Sequence, residues 1–406
     1  MQKMRNKSIL AICLLMSALA LHAQNPTLWR GPHGNGTYDE TGLLKSWPAE
    51  GPALLWSFDQ LGTGFSSPVV VDGKIYISGT EGDTGYIYVL DNGGKLLWKA
   101  PYGKEFVESY PGSRSTPVIM GDLMYQCTGL GEVICLDASK GTVKWKKDMA
   151  KEYGGKAPQW AYNETFAIEG DKIFITPGGP GHTIVALNRK TGAQIWSANI
   201  KNDISAYCSP LLVKLAARTL LVTHIASDVV GVDTNTGKVL WTYPHPNQWS
   251  VQANTPIYHD GALFCFSGYG QGGVKLKLSP DGSSVKAEWK TTELDNRIGG
   301  TVLVNGYLYG SGDKNRFWMC VDWNTGETKY KASGLANGTI ITADGMLYGY
   351  TERGELFLAK ADPSAWKLIS QTKVTLGTAQ HWAHPVVSGE KLLVRHGNVL
   401  MAYKIK

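Results

Sequence analysis

Four copies of one short phrase punctuate the chain: Gly94-Lys-Leu-Leu-Trp98, Gly141-Thr-Val-Lys-Trp145, Gly192-Ala-Gln-Ile-Trp196 and Gly237-Lys-Val-Leu-Trp241. The Trp-to-Trp steps are 47, 51 and 45 residues, the period of one four-stranded propeller blade. A single blade leaves both faces of its sheet uncovered, so several must stack around an axis to make a core. The repeat constrains architecture. Function stays open, because propellers serve as enzymes, docking platforms and scaffolds alike.

Each phrase ends a longer module. Asp or Asn stands about eight residues before the Trp, at Asp91, Asp137, Asn188 and Asp233, with Asp322 ahead of Tyr330 later on. Followed by Thr-Gly or Gly-Gly, such a residue makes a tight turn by bonding its own backbone while Gly supplies positive φ. The preceding segments, such as Tyr86-Ile-Tyr-Val-Leu90 and Thr183-Ile-Val-Ala-Leu187, alternate as half-buried strands do. Hairpin tips at Asp72-Gly73, Gly121-Asp122, Gly170-Asp171, Asp260-Gly261, Asn305-Gly306 and Asp344-Gly345 lie earlier in each module. Seven full units fit between about Phe65 and Ile369. Trp289 keeps the Trp without the Gly, Tyr330 replaces Trp, and Trp366 is out of step. His384 to Ile405 supplies three more strands, and Pro52-Ala-Leu-Leu-Trp56 supplies the missing fourth from the other end. Pairing the two closes the ring and removes its free edges. The expectation is an all-β, eight-bladed propeller of four-stranded antiparallel blades over residues 52–406, preceded by an N-terminal extension, 24–51.

Lys3, Arg5 and Lys7, the apolar run from Ile9 to Leu21 and then His22-Ala23 form a secretory signal over residues 1–23. No Cys stands at the cleavage site, so the expected destination is the periplasm or beyond, without a lipid anchor. The apolar run is too short for a stable membrane span. The signal holds three of the 40 basic residues; against 34 acids, that leaves about +3 on the mature chain. Nothing in that balance calls for nucleic acid or an anionic membrane as partner. Five cysteines remain, Cys127, Cys135, Cys208, Cys265 and Cys320. They read as small buried strand residues, with a Cys127–Cys135 bridge across the turn between them as the other reading.

The blade phrase, together with the opening Leu28-Trp-Arg-Gly-Pro32 and Thr41-Gly-Leu-Leu-Lys-Ser-Trp-Pro48, resembles the secreted PQQ-like β-propeller repeat proteins across essentially the whole mature chain. That superfamily includes quinone-dependent alcohol dehydrogenases and the cofactor-free BamB-type assembly factors. The resemblance to the dehydrogenases implies a calcium held by Glu, Asn and Asp, a quinone between a Trp and an adjacent-Cys disulfide, and the Asp as base. Glu164, Asn254 and Arg297, with Asp295 nearby, stand at blade entrances here, but no two cysteines are adjacent.

In a propeller the loops entering the innermost strands share one face around the axis. These loops are rich in aromatic and polar residues, and Arg114, Trp160, Glu164, Trp249, Asn254, Arg297, His381 and Trp382 are expected to converge there as a ligand-binding rim. Such a rim suits a polar or sugar-like ligand, or a protein partner. His381 and His384 are three apart, and His182, His224 and His396 lie in other blades. Zinc needs three or four converging ligands, so no metal centre is expected. Gly268-Tyr-Gly-Gln-Gly-Gly273 joins two strands rather than opening a helix and is no phosphate loop. No catalytic group stands out. The reading is a non-catalytic binding or scaffolding module without cofactor, monomer favoured, with a PQQ- and calcium-dependent alcohol or sugar dehydrogenase as the alternative.

Overall fold

The computed structural model describes residues 25–406; the signal read over 1–23 lies outside the described residues. Eight sheets surround an axis. Blades 1 to 7 occupy residues 69–104, 118–148, 167–198, 211–244, 257–291, 301–332 and 338–373, each with four consecutive antiparallel strands. Blade 8 combines residues 386–404 with Leu54–Phe58 from the other end. There Leu54 pairs with Tyr403, Trp56 with Ala402 and Phe58 with Leu400. The expected closure is therefore present.

The phrase has a packing reason. Every outer strand carries a β-bulge just before the repeat position, at Trp98, Trp145, Trp196, Trp241, Trp289, Tyr330, Ser370 and Trp56. A bulge re-aims the side chain that follows it, and the indole crosses to the next blade. A Cβ on Gly237 would stand 2.8 Å from the Trp196 ring, and one on Gly192 would stand 3.0 Å from the Trp145 ring. The indole N–H completes the junction: Trp196 Nε1 donates to Thr234 O at 3.0 Å and Trp145 Nε1 to Arg189 O at 3.0 Å. Gly recurs because it both turns at positive φ and receives the neighbour's ring. In blade 7, Ser370 holds the Trp position and bonds the Trp47 backbone N–H at 2.8 Å. Trp366 instead packs onto Trp318, centroid to centroid 6.2 Å.

The apolar core is correspondingly divided, one cluster per blade junction, such as Phe174, Trp196 and Val230 between blades 3 and 4. The seam spanning blades 7, 8 and 1 has the broadest cluster, which takes in Tyr38, Leu43 and Trp47. Those three come from the extension. This segment pairs Thr27 with Ile119 of blade 2, then doubles back, and Thr37–Tyr38 adds a parallel fifth strand to blade 7 through Thr342 and Ala343. Arg30, fully buried, donates from Nη2 to Thr301 O at 2.6 Å. A Cβ on Gly31 would meet the Tyr38 ring at 2.8 Å, which is why Gly follows Trp29-Arg30. The five cysteines among the described residues are free and buried. Cys127 pairs with Val133 and Cys135 with Tyr125 in the ladder, so the Cys127–Cys135 bridge is corrected: the two are not cross-strand partners. No helix among the described residues is long and apolar enough to cross a membrane.

Candidate functional site

The strands entering the blades alternate, and that alternation decides which side chains reach the axis. Phe65 and Ser67, Arg114 and Thr116, Asn163 and Thr165, Tyr207 and Ser209, Val251 and Ala253, Trp382 and His384 line one cavity of about 200 Å³ at the mouth. The residues between them do not. Period-two geometry sends alternate side chains to opposite faces, and the intervening set ties each inner strand to its neighbours. Ser66 Oγ donates to Ser78 O at 3.2 Å, Asn254 Nδ2 to Phe266 O at 3.1 Å, and Asn296 Nδ2 to Ser311 Oγ at 2.8 Å.

Of the eight rim residues read from the sequence, Arg114, Trp160, Arg297 and Trp382 line the cavity. Glu164 and Asn254 are buried in the opposite phase. The Glu164 carboxyl accepts from Thr176 N and Oγ1, both at 2.9 Å, and burial pushes its pKa up to about 8 despite those two bonds. His381 is also out of phase: it stacks on His396 at 3.7 Å and bonds the Tyr350 hydroxyl through Nδ1. Trp249 stands outside the cavity, 46% exposed, edge-on to Trp160 at 6.2 Å. Asn247 fixes that loop by accepting from Trp249 N and Val251 N and donating to Val251 O.

Two arginines carry the formal charge of the lining, and no Asp or Glu is among the lining residues. Arg297 is neutralised from behind by Glu352 at 2.6 Å and Asp313 at 3.2 Å. Burial opposes its charge, yet these two acids outweigh it and raise its pKa. Arg114 has no such pair. Its guanidinium donates to Gly112 O, Ser109 O and Tyr110 O, each at 2.8 Å, and lies over Phe106. Burial lowers its pKa, with Glu105 opposing from a distance.

Sequence reasoning missed part of the lining. Trp29 of the extension lines the mouth cavity and also two further cavities. It meets His384 edge-on at 4.9 Å. His384 Nε2 donates to Ile298 O at 2.9 Å, and burial holds its pKa down at about 3. Around this indole runs a belt of hydroxyls. His384 N donates to Ser67 Oγ, Ser67 N to Thr116 Oγ1, Thr116 N to Thr165 Oγ1 and Thr165 N to Ser209 Oγ, all at 3.1–3.2 Å. Tyr110, Tyr207 and Tyr269 line the walls and all have left-handed backbones, with φ of 49°, 70° and 61°. Bulky side chains rarely tolerate that region, and such strain concentrates at functional sites. A signal for Trp29 was available in the Trp-Arg-Gly opening, but only the repeat-free position of that motif distinguished it.

A calcium–quinone pair would need several free oxygen donors facing the cavity. Glu164 is engaged by Thr176, and the Asp295 carboxylate accepts from the backbone of Gly270, Asp313 and Lys314. Asn254 Nδ2 is spent on two carbonyls, and its Oδ1 is buried without a partner. None of the three lines the cavity, and no adjacent cysteines are present to cap a quinone. The residues do not fit that pair.

A family described as outer membrane protein assembly factor BamB matches residues 83–328. BamB of Burkholderia pseudomallei (strain K96243) is 27% identical over 322 residues, covering 72% of this chain and 76% of that protein. Quinoprotein alcohol dehydrogenase PedH of Pseudomonas putida is 26% identical over 265 residues, 60% of this chain. The chain spans only 40% of that enzyme's length. Among solved structures, BamB from Moraxella catarrhalis superposes with a TM-score of 0.64 at 15% identity, covering 87% of this chain and all of that one. A europium-containing methanol dehydrogenase reaches 0.65 at 14% identity, with 90% and 88% covered. At such identities the likeness is one of fold.

Proposed function

This chain belongs to the PQQ-repeat propeller family of the assembly factor BamB, and from that premise we propose that it is an exported, non-catalytic binding module whose ligand enters the mouth of the propeller. One observation carries the reading. Seven blade entrances and the extension present aromatic rings, hydroxyls and two arginines to a single cavity. Binding sites are concave, mostly apolar and furnished with a few placed polar groups. Charge, orientation and water exclusion are all supplied by groups of this chain. Arg297 is held by its two acids and Arg114 by three carbonyls, and Trp29 contributes to the lining. No pair of free carboxylates or acid–base couple stands at the cavity, which is the reason for reading it as binding without turnover.

Thermal-shift titration of the chain against a panel of polar small molecules tests this, with Trp160→Ala and Arg297→Ala alongside. Stabilisation of the native chain that vanishes in both variants, at unchanged baseline melting, is the expected result. Lowered baseline melting with stabilisation retained would return both residues to structure. A second arm adds quinone and calcium with a primary alcohol. An absorbance shift accompanied by oxidation of the alcohol would overturn the non-catalytic half of the reading.

A further inference from the structure

The chemistry of the mouth narrows its ligand. The four belt hydroxyls at Ser67, Thr116, Thr165 and Ser209 each accept one backbone N–H. None donates its own proton to a protein acceptor among the described residues, so four O–H donors remain unspent on the cavity wall. A ligand that satisfies them offers several oxygen lone pairs in close succession. The rings above do not form a slot. Phe65 and Trp382 are tilted by 43°, Tyr110 and Trp382 by 54°, and Trp160 and Trp249 by 65°. A flat conjugated ligand gains most between parallel faces, whereas a pyranose presents a patch of C–H bonds to a single face and its hydroxyls to the rim.

Two further features set length and charge. Trp249 is fixed on its loop by Asn247, half in solvent, beside Trp160 but beyond the cavity. An exposed indole on a braced loop beside the cavity is a place for a second ring. Arg297 is already neutralised by Glu352 and Asp313, and Arg114 spends its guanidinium on three backbone carbonyls, so neither arginine calls for an anionic ligand.

Resting on the mouth-binding reading above, we propose that the ligand is the end of a neutral oligosaccharide, with one hexose ring inside the cavity and the next against Trp249. The cavity hexose takes protons from the belt hydroxyls and lies above Trp29. The second ring adds contact through Trp249 alone.

Calorimetric titration of the chain with glucose, xylose, maltotriose, cellotriose and xylotriose, and separately with sodium sulfate, tests the assignment. At least one trisaccharide should bind about tenfold more tightly than its monosaccharide, the gain of one stacked ring. Trp249→Ala should remove that gain and leave the monosaccharide affinity within about twofold, while Trp249→Phe keeps most of it. The native and variant melting curves should coincide, so loss of binding is not loss of fold. Equal affinity for monosaccharide and trisaccharide, or a gain that survives Trp249→Ala, overturns the second-ring assignment. Sulfate binding without any saccharide binding identifies an oxyanion site and overturns the proposal. If no saccharide binds while other polar compounds still stabilise the chain through Trp160, the sugar assignment falls and the mouth reading stands. If nothing binds there, both fall.

Discussion

The outer rim and the axial mouth solve opposite problems with the same amino acid. At the rim, Trp56, Trp145, Trp196, Trp241 and Trp289 each follow a bulge and donate an indole N–H to the next blade. At the mouth, Trp29 comes from the extension and Trp160 and Trp382 from two blade entrances, and the three line one space. Repetition at the rim reflects a junction that must be made eight times. At the axis the hydroxyl belt repeats from blade to blade, but the indoles do not.

Removing residues 25–58 is the most severe way to break the rim. It opens blade 8, strips Tyr38, Leu43 and Trp47 from the seam core, and exposes an unpaired edge. Denaturant melts should show loss of a large part of the ~5–15 kcal/mol that holds a domain folded; unchanged melting would disprove the seam's role. Next comes Trp196→Ala, expected to cost about 3–5 kcal/mol through the cavity it leaves, read by the same melts. Gly237→Ala should follow, because its φ is 74° and the new Cβ meets the Trp196 ring. Gly345→Ala has φ of 72° and nothing nearby, so it should cost only the ~1–2 kcal/mol of left-handed backbone. Equal losses at the two glycines would remove the ring-receiving explanation. Smallest of all, Trp249→Ala should change stability by no more than about 0.5 kcal/mol while altering binding.

The buried carboxyls sharpen the contrast by pH. Burial raises Glu105 to about 7 and Glu164 to about 8, so the folded chain keeps protons that the unfolded chain releases. Their contribution is full below about pH 4.5 and is lost as pH rises through those two values. His384 and His381 are held down, by burial first, at about 3 and about 4, so theirs is present above about pH 6.5 and lost on acidification. Between pH 6.5 and 8 the carboxyls act without that opposition, and melting temperature should fall. Glu164→Gln, which mimics the protonated acid, should flatten the decline; a variant with the native slope would assign it elsewhere.

Much of the fold was legible because a bulge, a turn and a docking ring each demand particular residues, and the demand recurs at a fixed interval. Blade 8 could be assembled on paper from Trp56 alone. The site was half legible. Arg114, Trp160, Arg297 and Trp382 stand at one mouth, as blade symmetry requires of entrance residues, but symmetry fixes position along a strand and says nothing of phase. Glu164 sits between Asn163 and Thr165, both of which line the cavity, and one residue of phase turns its carboxylate away from the axis. Trp29 was hidden for a different reason. It belongs to a segment with no period, and its ring partner, His384, belongs to the blade whose pairing makes the closure of the ring.

That closure has a consequence in time. Residues 54–58 cannot complete their blade until residues 399–404 exist to pair with them, and the broadest core waits on the same event. Such distant pairing makes assembly slow, since the entropy of a long loop is lost before the contacts reward it. The first seven blades can be synthesised and still lack their seal. Trp29 and Arg30 must also be inside the ring when it shuts, or be threaded into it afterwards. A chain built this way stays open for as long as its two ends are kept apart.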